Sequence, residues 1–77
     1  MFICDQTGNH LYNVEYIRDF HLRSDYDPNK KRITCNYDGD EKTLGVYEKT
    51  QAEGNFGKLK SAVSHGGLYF RMPENWT

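Results

Sequence analysis

Apolar and polar positions change rhythm several times along the chain, and each change marks an element. Met1 to Asp5 is short and apolar, and Gln6-Thr7-Gly8-Asn9 is a strong turn signal. His10-Leu11-Tyr12 resumes an extended pattern, so the two segments read as a hairpin. Asn13 to Tyr16 reads as a brief turn or bulge. From Ile17 to Ser24 the chain alternates, with Phe20 and Leu22 on one face and Asp19, His21 and Arg23 on the other. That period of two belongs to a half-buried strand.

A loop follows over Asp25 to Lys30, where Pro28 biases Asp27 away from helix. Ile33 to Tyr37 alternates again. Asp38-Gly39-Asp40 makes a hairpin turn, because an Asp-Gly pair tolerates the positive φ such turns require. Thr43 to Tyr47 is the next strand, and the three successive strands form an antiparallel meander. The rhythm then becomes helical. Ala52, Phe56, Leu59, Ala62 and Val63 define one apolar stripe. Thr50 and Glu53 have the spacing of a capping box, and Gly66-Gly67 end the helix. The predicted helix runs from about Gln51 to His65. Leu68 to Met72 is a last strand, stopped by Pro73. These elements predict a single α+β domain over residues 1–77, with an antiparallel sheet of about five strands and one helix packed across one face.

Composition narrows the function classes. The 77-residue chain carries 10 Lys and Arg against 11 Asp and Glu, without the basic excess of a nucleic-acid binder. Lys30-Lys31-Arg32 is the one basic run, and it reads as a solvated hairpin tip, with a phosphate-binding patch as the alternative. Aromatic residues make up 14% of the chain, unlike a disordered segment. No stretch approaches the ~20 apolar residues of a membrane span. The first residues lack the form of a signal peptide, so a cytoplasmic location is expected. Cys4 and Cys35 sit in strand-like segments and read as buried free thiols, with a disulfide left open.

Candidate chemistry is sparse. No nucleophile elbow, phosphate-binding glycine loop or His-Glu-x-x-His is present. His10, His21 and His65 fall on separate elements. Asp25-x-Asp27-x-Asn29 resembles the opening of a calcium loop, but Lys30 stands where glycine is needed and Asn36 where the bidentate glutamate is needed. No enzyme activity, metal or cofactor is therefore expected. Two features point instead to contact surfaces. Gly54, Gly57, Ser61 and Ser64 cluster opposite the apolar stripe, either because the helix is weak or starts after Gly54, or as a small flat face that contacts a partner or a second copy in a homo-oligomer. Tyr69 and Arg71 alternate away from Leu68, Phe70 and Met72, while Tyr37 and Tyr47 flank a hairpin and Trp76 lies in the tail. Tyr, Trp and Arg are enriched at binding hot spots, although they also cover the edges of small cores.

The start Met1-Phe2-Ile3-Cys4-Asp5, the run Leu11-Tyr12-Asn13-Val14-Glu15-Tyr16-Ile17, Leu44-Gly45-Val46-Tyr47 before the helix and Phe70-Arg71-Met72-Pro73-Glu74 at the end set the chain beside others. The pattern resembles short uncharacterised proteins of Gram-positive bacteria and their phages. The resemblance implies a compact sheet with one helix and a phage or mobile-element origin. Such genomes are rich in small proteins that antagonise host defence by binding. The expected function is thus non-enzymatic binding to a protein partner, in its sharpest form inhibition of a host defence protein. The alternative is an oligomer that sequesters a nucleotide signal between Arg and Tyr side chains.

Overall fold

The computed structural model describes residues 1–74 and has the α+β architecture expected. Its strands are β1 (Phe2–Cys4), β2 (Leu11–Asn13), β3 (Ile17–Ser24), β4 (Lys30–Tyr37), β5 (Asp40–Glu48) and β6 (Tyr69–Arg71). A 3₁₀ turn (Val14–Tyr16) joins β2 to β3, and α1 (Lys49–Ser64) joins β5 to β6. The strands divide into two three-stranded sheets rather than one: β2-β1-β6 and the meander β3-β4-β5. β6 returns to pair parallel with β1, a connection made through the meander and the helix.

Local chemistry explains each turn. In the β1–β2 hairpin, Gly8 takes φ 79° and Asp5 accepts from Thr7 Oγ1 at 2.7 Å and from the Gly8 N–H at 3.0 Å. The Asp25-x-Asp27-x-Asn29 segment is a set of side-chain-capped turns. Asp25 Oδ2 accepts from the Asp27 N–H at 3.3 Å, and Asp27 Oδ1 accepts from the Asn29 N–H at 2.9 Å. At the β4–β5 turn, Asp38 and Gly39 have φ of 51° and 91°, as the Asp-Gly pair requires.

β5 runs directly into α1, so the helix starts two residues earlier than the sequence suggests. Thr50 lies inside the first turn and makes no cap. The N-cap is Glu48, without a side-chain hydrogen bond, while the Lys49 N–H donates to Asn29 O at 3.3 Å. Glu53 pairs instead with Lys31, 3.4 Å away. Gly66, at φ 69°, closes the helix, and the His65, Gly66 and Gly67 N–H groups donate to Ser61, Val63 and Ala62 carbonyls.

The core lies between α1 and the inner faces of both sheets. Ile3, Tyr12, Ile33, Cys35, Leu44, Tyr47, Ala52, Leu59 and Met72 are buried there. Phe56 and Val63, from the predicted stripe, are half-buried against them. Gln6 joins the sheets. Its backbone N–H donates to Leu44 O at 2.8 Å, and its carboxamide exchanges hydrogen bonds with the Val46 backbone.

The opposite face of α1 is open. Gly54, Gly57, Ser61 and Ser64 are all exposed, and a Cβ on either glycine would meet nothing within 4 Å. Gly57→Ala is expected to stabilise the protein by about 1 kcal/mol, the helix-propensity difference between the two residues. A higher urea midpoint at unchanged slope checks this.

Candidate binding surface

The small sheet places its side chains in three rows. Tyr12, Ile3 and Phe70 form the middle row and face the core. The flanking rows, Asn13–Phe2–Tyr69 and Leu11–Cys4–Arg71, turn to the outer face because side chains alternate along a strand. That face is apolar and open. Phe2, Leu11 and Tyr69 are 44%, 59% and 57% exposed. Leu68, whose carbonyl accepts from the Phe2 N–H, adds a further side chain at 85%. Cys4 is buried on this face, and its hydrogen-bonding contact raises the Tyr69 phenol above its ordinary pKa.

Arg71 borders the apolar residues. Its guanidinium donates to Glu74 at 2.9 Å and lies across the β1–β2 turn, 2.9 Å from where a Cβ on Gly8 would stand. Behind the turn, burial alone would raise the Asp5 carboxyl. Hydrogen bonds from Thr7 and His10 outweigh it and hold Asp5 below the usual carboxylate range. His10 Nδ1 stands 2.8 Å from Asp5. The ionised Asp5 fixes the turn on which Arg71 rests.

Of the residues singled out in the sequence, Tyr69 and Arg71 are brought together on one face. Tyr47 is not on an outer face; at 1% exposure it is a core residue, and its hydroxyl donates to Pro73 O at 2.6 Å. Burial pushes its phenol far above the ordinary range. Tyr37 is half-buried and packs edge-on against Tyr12, with ring centroids 4.9 Å apart. Trp76 lies outside the described residues. Leu68 does not share the buried face of Phe70 and Met72, because the strand begins only at Tyr69. Phe2 and Leu11 were missed; alternation about Ile3 and Tyr12 was their only signal. Exposure of Gly54, Gly57, Ser61 and Ser64 is equally that of a solvated helix face, and no other feature distinguishes them.

The outer face of the meander sheet is polar and internally paired. Glu41 accepts from Arg23 Nε at 2.5 Å and from Thr34 Oγ1 at 3.0 Å, which holds its carboxyl below the usual range. Arg32 donates to Asp25 at 2.9 Å and stands 5.2 Å from the Tyr26 ring centroid. Lys30, Lys31 and Arg32 therefore open β4 rather than cap a hairpin, and two of them are neutralised by acidic partners.

Cys4 and Cys35 are free and buried. Burial raises the Cys35 thiol to about 11, so it stays protonated at neutral pH. His10, His21 and His65 occupy separate places, beside Asp5, Asp19 and Ser61. Among the described residues, no three His, Cys, Asp or Glu side chains are grouped to hold a metal, and no helix is long and apolar enough to cross a membrane. Comparison with protein-family models, curated proteins and solved structures finds no match.

Proposed function

We propose that the protein is a non-enzymatic binding module whose contact surface is the outer face of the β2-β1-β6 sheet. The observation that carries this reading is the grouping of Phe2, Leu11 and Tyr69, all well exposed, on one sheet face bordered by Arg71. A contiguous exposed apolar patch with a polar rim is characteristic of a protein interface. Tyr and Arg are also the side chains that most often dominate binding energy. The partner is accordingly a protein with a complementary apolar surface and an acidic group for Arg71. Inhibition of a host defence protein is the narrower form of this reading, and it rests on the sequence resemblance alone.

The nucleotide-sequestering alternative is less favoured. Tyr47 is sealed in the core and cannot stack on a base.

Affinity capture from source-cell lysate tests the proposal. Wild type is expected to retain a protein that Leu11→Glu and Tyr69→Ala lose, each variant keeping its wild-type circular dichroism. A truncated hot-spot side chain costs about 2 kcal/mol or more of binding energy. Capture unchanged by both substitutions would move the interface elsewhere.

A further inference from the structure

We propose that two copies of the chain pair antiparallel along β3 and form a two-fold symmetric dimer, an interface separate from the partner-binding face. β3 is the outer strand of the meander sheet, and it is eight residues long. Among the described residues, its only strand partner is β4, and the one backbone hydrogen bond outside the ladders at residues 17–24 runs from the Ile17 N–H to Val14 O, at the first residue of the strand. A long open edge of this kind is a template for another strand.

The side chains of β3 select the second strand. The backbone groups that an antiparallel strand turns to one side come from every second residue. Two copies therefore bond only when residues of the same parity face one another. With the two-fold axis at His21, Asp19 of each copy faces Arg23 of the other on the polar side. On the core side Phe20 faces Leu22, and both are only half-buried within one chain. This register lies within the regular part of β3, beyond the irregularity between Ile17 and Asp19.

The neighbouring registers are poorer. An axis at Phe20 separates Asp19 from Arg23 and draws in the irregular segment. An axis at Leu22 sets Asp19 against Asp25, and axes at Asp19 or Arg23 set like charges face to face, which is unfavourable across strands. Arg23 keeps its intrachain bond, since Nε serves Glu41 and the terminal nitrogens remain for the second copy's carboxylate. The result is one meander sheet of doubled width, with the small core of each chain extended across the axis. Two copies of the partner-binding face on one particle would also strengthen capture of a multivalent partner.

Sedimentation equilibrium on wild type, Asp19→Arg and Arg23→Asp tests the register. Wild type is expected at twice the 9.0 kDa chain mass. Each variant alone replaces two attractive pairs by two like-charge pairs and should dimerise about tenfold or more weakly, which corresponds to 1.4 kcal/mol. Mixing the two variants restores both opposite-charge pairs, so the mixture should recover the dimer. Circular dichroism confirms that each variant is folded. A wild-type chain that stays monomeric at its highest soluble concentration overturns the proposal. So does a dimer that both variants retain, or a mixture no more dimeric than its components.

Discussion

Gly45→Ala is expected to destabilise the protein by about 3 kcal/mol and to lower Tm by roughly 15 °C. A Cβ at this position would stand 2.6 Å from Tyr47 Cε2 and Oη and 2.7 Å from Cζ. The Tyr47 ring folds back over Gly45 from two residues along the same strand. It cannot swing clear, because it is buried and its hydroxyl is held by Pro73 O. Displacing the ring adds overpacking strain and breaks that hydrogen bond, leaving a carbonyl without its donor. The steric origin is checked by a double-mutant cycle in urea. In a Tyr47→Leu background the clash is gone, and Gly45→Ala should cost under about 0.5 kcal/mol. An equal cost in both backgrounds would locate the effect in the backbone rather than the ring.

Removing the Gln6 carboxamide should cost about 2–4 kcal/mol, more than most polar substitutions, because three backbone groups depend on it. Nε2 donates to Val46 O at 3.0 Å and to Glu74 O at 2.8 Å, and Oε1 accepts from the Val46 N–H at 2.9 Å. The amide thus acts as a short surrogate strand on the edge of β5. In Gln6→Ala these groups must find water in a partly buried seam. Gln6→Glu separates hydrogen bonding from packing. At neutral pH its carboxylate faces two carbonyl oxygens, so its folded-state pKa should lie above the unfolded value. Protonation restores one donor. The deficit of Gln6→Glu relative to wild type should therefore shrink as pH falls and grow as pH rises through the folded pKa. A deficit independent of pH would mean that the carboxamide is not positioned as described.

Both positions show where sequence patterns stop. The meander and the helix stripe were legible because their signals are local: period-two alternation, an Asp-Gly turn and recurring apolar residues before Gly66. The inward position of Tyr47 was not. Leu44 is an extra residue in β5 between Thr43 and Gly45, which pair with Thr34 and Ile33. This bulge flips the phase of alternation, so Leu44 and Tyr47 both face the core although three positions apart. Gln6 reads as an ordinary turn residue, because its partners stand 40 and 68 positions away. The parallel pairing of β1 with β6 leaves no local trace either, yet it is what gathers Phe2, Leu11, Tyr69 and Arg71 on one face. Tyr69 and Arg71 could be singled out by residue type, but their neighbours depended on that pairing.

Site-specific photocrosslinking tests the proposed function most directly. A photoreactive side chain is placed at Leu11, on the β2 side of the proposed surface, and separately at Lys58 on the open side of α1, which is likewise exposed. After irradiation in source cells, the Leu11 probe should yield one dominant adduct with another protein, and that adduct should disappear when Tyr69→Ala is added. The Lys58 probe should not yield it. The same adduct from Lys58, or a Leu11 probe that labels no protein, would contradict the claim that the protein works through the outer face of its small sheet.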